Sequence, residues 1–155
     1  LKFKSTHNGV DYRGMLDLTI VNHLDKIIYP YDLKTTGHPE YQFYESFLKW
    51  GYQCQARLYT RLIEDAIKDD PYFKNFTVET FKFIVVNKET LTPLVWAFTD
   101  SKTSGTLLYG KNSDIILRDP YEIGEELHYY MTESPSVPIG INEVNNLKAW
   151  INKKL

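Results

Sequence analysis

Only one cysteine, Cys54, occurs among the 155 residues, so neither an intrachain disulfide nor a four-thiolate zinc or iron–sulfur site can form within the chain. No apolar stretch approaches the roughly 18 residues that span a bilayer, and no basic-then-apolar leader opens the sequence. The expectation is a soluble, cytoplasmic protein without membrane contact. A charge excess is missing too: 18 basic against 20 acidic residues leave a net charge of −2. Contact with a polyanion must therefore come from a local basic strip, not from the field of the whole molecule. His7, His23, His38 and His128 show no metal-ligand spacing and read as turn or surface residues, although His38 lies close in sequence to Lys34. Repeats and low-complexity tracts are absent. An initial methionine is lacking as well; the chain opens at Leu1 in strand-like sequence, which leads us to expect a further segment upstream.

What is present is enough apolar material for one cooperative core: 43% of residues are hydrophobic and 15% aromatic, and a chain of this length buries about two-thirds of its unfolded surface. A single domain over residues 1–155 is expected, its core within about 1–100 and a C-terminal extension over about 101–155. Leu1 to Thr6 alternates apolar and polar residues, and Asn8-Gly9 is a two-residue hairpin signal. That turn sets Leu1 opposite Leu16 and Phe3 opposite Gly14. A second hairpin, Leu16 to Val21 with Ile27 to Leu33, closes through His23-Leu24-Asp25-Lys26 and sets Asp17 directly opposite Asp32. By parity, Leu16, Leu18, Ile20, Tyr29, Tyr31 and Leu33 share one apolar face with Leu1 and Phe3, which is expected to be the buried one. The other face carries Asp17, Asp32 and Lys34, with Lys2, Lys4 and Arg13 further along. Pro30 cannot donate to a ladder and is expected to mark a bulge.

Thr35 to Tyr41, with Gly37 and Pro39, reads as a loop, and about Phe43 to Lys68 as helix, broken near Gly51 and ended by Asp69-Asp70-Pro71. Tyr52, Gln55, Tyr59, Leu62 and Ala66 follow one helical stripe, so Gln55 and Tyr59 sit one turn apart on the same face. Phe81 to Asn87 and Leu94 to Thr99 read as two antiparallel strands. Ser101 to Gly105 reads as a loop, Tyr121 to Met131 as helix, Ser134 to Pro138 as a break and Asn142 to Lys154 as a terminal helix.

Opposed strand residues have Cβ atoms about 4.5–5.5 Å apart, close enough for two carboxylates to share a cation. Without one they repel, and one tends to take up a proton. Magnesium or manganese suits such oxygen donors. Asp17 and Asp32 are the expected ligands, with the Leu33 carbonyl as a third. Lys34, two residues beyond Asp32 and on its face, is placed to position a water or offset charge on a phosphoryl transition state. These parts fit phosphodiester hydrolysis.

Gly14-Met15-Leu16-Asp17, Asp32-Leu33-Lys34-Thr35-Thr36 and Gln55-x-x-x-Tyr59, in that order, resemble the motifs of RecB-type nucleases of the PD-(D/E)xK superfamily. The likeness extends to RecE-like phage exonucleases, whose Lys-Thr-Thr run and Gly-Tyr-x-x-Gln helix start are similar to Lys34 to Thr36 and Gly51 to Gln55. It covers roughly residues 10 to 100. The resemblance implies an α/β, restriction-endonuclease-like mixed sheet flanked by helices. It also implies magnesium-dependent digestion of DNA from duplex ends in phage-type recombination, with Gln55 and Tyr59 ordering the site or contacting DNA. The partners it implies are DNA, a second copy of the chain and a single-strand annealing protein. The family also supplies an acidic residue or histidine from a helix before the first strand, and that helix is expected to be missing here. Two alternatives stay open: a catalytically silent DNA-binding or assembly module with the nuclease fold, and a site-specific endonuclease. Lys2, Lys4 and Arg13 read equally as a phosphate track or as a solubilising edge.

Overall fold

Asn8 and Gly9 take the left-handed backbone, with φ of 47° and 81°, and so close a tight hairpin between β1 (Lys2–His7) and β2 (Val10–Met15). Phe3 pairs with Gly14 and Ser5 with Tyr12, as the turn predicts, and Leu1 and Leu16 exchange two backbone hydrogen bonds of 2.8 Å. The structure, a computed structural model, describes residues 1–103, 105, 107–108 and 115–132. The chain divides into two compact units, Leu1–Thr103 and Ser104–Leu155.

In the first unit a bend at Asp17 leads out of the hairpin and into a second sheet. There β3 (Leu18–Asn22) pairs antiparallel with β4 (Ile27–Thr36), and Ile20 faces Tyr29 as expected. The order continues to β6 (Phe81–Asn87), parallel to β4, and β7 (Pro93–Phe98), antiparallel to β6, giving a mixed five-stranded sheet with the short β5 (Thr77–Val78) also on β4. Pro30 does not break the β3–β4 register, contrary to the expected bulge, since Thr19 still faces it. Its effect falls on the other side of β4. The pairing with β5 ends at Ile28 and that with β6 starts at Tyr31, so the missing N–H sits where the ladder is interrupted anyway.

The helical segment breaks at Gly51, where φ is 65°, into α1 (Phe43–Lys49) and α2 (Tyr52–Lys68). Phe43 and Phe47 of α1 meet Phe83 with ring centres 5.5 and 5.8 Å away, and Phe47 meets Phe98 at 5.1 Å. Helix α2 lies across β1, β2, β5 and β6 and buries Ala56, Thr60, Leu62 and Ile63. Gly14 permits this approach: a Cβ there would stand 2.8 Å from Leu62 Cδ1 and from the Tyr59 ring.

These contacts decide which sheet face is covered, and it is not the expected one. The odd residues of β6, Phe81, Phe83 and Val85, are buried, and Asp32 stands in register with Phe83. The covered face of β4 therefore holds Ile28, Pro30 and Asp32, while Leu18, Ile20 and Leu33 are 42%, 47% and 50% exposed. Alternation sorts the residues into two sets; the aromatic faces of α1 and α2 choose between them. Leu16 is buried as expected, but it lies where the chain passes between the sheets, and Leu1 is exposed. Lys2, Lys4 and Arg13 lie on the outer face of the separate hairpin rather than on the sheet that carries Asp32.

Beyond β7, Thr99–Lys102 forms a 3-10 turn, which takes in Thr99, read as the end of a strand, and the start of the loop read over Ser101 to Gly105, and Glu40–Gln42 forms another. In the second unit β8 (Leu107–Leu108) pairs with β9 (Ile115–Ile116), followed by α3 (Pro120–Thr132), which contains the helix read over Tyr121 to Met131. The break at Ser134 to Pro138 and the helix over Asn142 to Lys154 lie outside the described residues.

Candidate functional site

Asp32 reaches the covered face because β4 alternates, and it is 3% exposed. A carboxylate buried there needs partners. Lys34, on the same face two residues on, places Nζ 2.5 Å from Asp32 Oδ2. Gln55, in the first turns of α2, donates through Nε2 to Asp32 Oδ1 at 2.9 Å and accepts through Oε1 from Lys34 Nζ at 3.0 Å. Asp32, Lys34 and Gln55 thus close a ring of three side chains drawn from one strand and one helix. Burial pushes the Asp32 carboxyl above its ordinary value; the hydrogen bond and charge of Lys34 pull it back, and the Asp17 charge adds to the rise.

Asp17 lies at the bend ahead of β3, outside the β3–β4 ladder, whose last pair is Leu18 with Tyr31, so the expected strand pairing of Asp17 with Asp32 is not among the pairs formed. Its Oδ2 accepts the Leu33 N–H at 2.9 Å, so it caps the peptide that joins Asp32 to Leu33. The Leu33 side chain is turned to the other face and exposed.

Tyr59 stands apart. One turn along α2 from Gln55, its ring packs against Gly14 and lies 6.3 Å from that of Phe81. Tyr52 enters instead: Lys34 Nζ lies 4.5 Å from the centre of its ring, which also stacks on Phe43 at 5.8 Å. The sequence places Tyr52 on the Gln55 stripe, but nothing in that spacing points to a lysine beneath its ring. His38 engages through its backbone, donating N–H to Thr36 Oγ1 and accepting from Asn87 Nδ2. Cys54 is exposed.

Asp17 and Asp32 are the side chains here that could hold a divalent ion. Both Asp32 oxygens already have partners, Oδ1 the Gln55 amide and Oδ2 the Lys34 ammonium at 2.5 Å, so an ion there would share Oδ2 with the lysine or displace it. Two carboxylates suit magnesium, which keeps several of its waters. Among the described residues no group of three or more His, Cys, Asp or Glu converges on one point, so the chain's own acidic donors at this place number two. Among the same residues no helix is long and apolar enough to cross a membrane. Comparison with known proteins gives no match to any family model, curated protein or solved structure.

Proposed function

We propose that the chain is a magnesium- or manganese-dependent deoxyribonuclease that degrades DNA from duplex ends, with a restriction-endonuclease-like sheet as its scaffold. The observation that carries this reading is the buried Asp32, ion-paired to Lys34 and clasped by Gln55, with Asp17 on the adjoining peptide. A bound divalent ion would lower the pKa of a coordinated water and polarise the phosphate. Asp17 and Asp32 would hold it. Lys34 opposes charge that gathers on the phosphoryl oxygens, and the environment that excludes water around it strengthens that effect. Gln55 fixes the rotamers of both Asp32 and Lys34, so the donors need no rearrangement at the moment of reaction. A cytoplasmic, phage-type recombination role, with a homo-oligomer and an annealing partner, goes with this reading.

The test is digestion of linear against closed circular duplex DNA, with and without magnesium. Shortening of linear DNA only when magnesium is present, with circles intact, is expected, and Asp17→Ala should remove it without lowering the folded fraction. Undiminished cleavage by purified Asp17→Ala would sink the assignment, and cleavage of circles would make the enzyme an endonuclease.

A second reading has its own observation. Lys34 already neutralises Asp32, and only two carboxylates gather among the described residues, as in a silent module that binds duplex DNA without cutting it. Binding with no magnesium-dependent product identifies that case.

A further inference from the structure

The outer face of the β1–β2 hairpin concentrates positive charge in a way that its own stability does not explain. Lys4 and Arg13 are directly opposed, and like charges at opposed positions destabilise a strand pair. Lys2 lies on the same face, two residues from Lys4. Asp11 answers this charge in part: it accepts from Thr6 Oγ1 at 2.7 Å and lies 3.2 Å from Lys4 Nζ. Both members of that ion pair are about half exposed, so water screens it heavily. Among the described residues neither Lys2 nor Arg13 forms an ion pair.

Against these cations runs a groove of about 530 Å³ that Lys2, Lys4, Arg13, Gly14 and Tyr59 help to line. Tyr59 lines the groove and lies on the same helix as Gln55. It follows Gln55 by one helical turn, a rise of about 6 Å, which is one to two nucleotides along a DNA strand at about 3.4 Å each. Gly14, which has no side chain to push α2 away, lets the Tyr59 ring rest against the hairpin. A line of cations beside an aromatic ring is the form taken by surfaces that follow a sugar-phosphate backbone and stack an end base. With a net charge of −2 the chain as a whole does not attract a polyanion, so this strip is the local source of attraction.

We propose that the outer face of this hairpin is the track along which a DNA strand runs, past Tyr59, to the Asp32–Lys34 site. The inference rests on the nuclease reading for the destination of the strand, but its cations can be tested alone. Affinity for a labelled linear duplex is measured in calcium buffer across a salt series, for the unmodified chain and for Lys2→Gln/Arg13→Gln. Both positions are exposed strand positions, and thermal unfolding of each protein checks the fold. The double variant should bind at least tenfold more weakly, and its plot of log affinity against log salt should be shallower by about 2, one for each phosphate that the variant leaves unneutralised. Unchanged affinity and slope would overturn the track, as would an unmodified chain that does not bind DNA. Hydrolysis of bis(p-nitrophenyl) phosphate by the unmodified chain is followed in parallel with magnesium. Hydrolysis with an unchanged salt slope in the variant leaves the nuclease standing without this track. No hydrolysis with a flattened slope keeps the track on a silent DNA-binding module.

Discussion

Gln55 donates to Asp32 Oδ1 at 2.9 Å with one end of its amide and accepts from Lys34 with the other. An amide is the side chain suited to stand between an acid and a base, since it offers a donor and an acceptor a fixed distance apart. Gln55→Ala leaves a buried carboxylate oxygen and an ammonium group each short of a partner. A loss of about 1–3 kcal/mol in stability is expected. Displacement of the lysine should lower turnover on the order of a hundredfold. Chemical denaturation and single-turnover cleavage check the two separately, and full turnover in Gln55→Ala would remove the amide from the mechanism.

Stability should respond to pH through Asp32. Burial raises its carboxyl above the ordinary 3.8, so the folded state binds that proton more tightly than the unfolded chain does. The contribution favours folding below 3.8 and is lost as the pH climbs through the raised value. Asp32→Asn, which is permanently uncharged, should therefore unfold at a higher temperature than the native chain at neutral pH in EDTA. The gap should close as the pH is lowered toward 4. A gap that does not change with pH would show that the Asp32 charge does not set it.

Gly14→Ala tests the seat of α2 on the hairpin. The added carbon meets Leu62 and Tyr59 at 2.8 Å, and Leu62 is fully buried, so it has little room to yield. Overpacking of this kind costs about 1–3 kcal/mol. Thermal unfolding reads that cost, and in a Leu62→Ala background, itself destabilised by a cavity, the Gly14→Ala increment should be smaller.

Tyr52 is expected to hold Lys34 by its ring face rather than by its hydroxyl. Tyr52→Phe keeps the face and should leave the pH profile of cleavage in place. Tyr52→Leu removes an attraction of about 0.5–2 kcal/mol and should shift that profile, because Lys34 is then set by Asp32 and Gln55 alone. Matching profiles in the two variants would deny Tyr52 any hold on the lysine.

The strand registers were legible because they are local. Asn8-Gly9 and the four residues from His23 to Lys26 close both hairpins, and alternation fixes each pairing to the residue. The helix break at Gly51 and the antiparallel β6–β7 pair were legible for the same reason. Which face of the sheet is covered was not. The pattern from Leu16 to Leu33 has an apolar side and a charged side, and hydrophobicity favours burying the first. Phe43 and Phe47, distant in sequence, pack on Phe83 instead, and register then carries Asp32 under the helices with it. Asp32 and Lys34 share a face whichever side is covered, but Gln55 reaches them only because α2 covers that side. Tyr52 needed the third dimension: nothing in its spacing says that a strand lysine lies beneath it.

Pro30 separates the part of β4 that pairs with β5 from the part that pairs with β6. The two hairpins join strands separated by only two and four residues, and such closures take about microseconds. Alignment of Asp32 with Phe83 begins only beyond the gap at Pro30 and waits for α1 and α2 to cross over, a long loop whose closure is slow. Asp32 and Lys34 share one strand, and the longer closure is the one that brings Gln55 of α2 to them, so a chain with only its hairpins formed would hold the acid and the lysine without the amide.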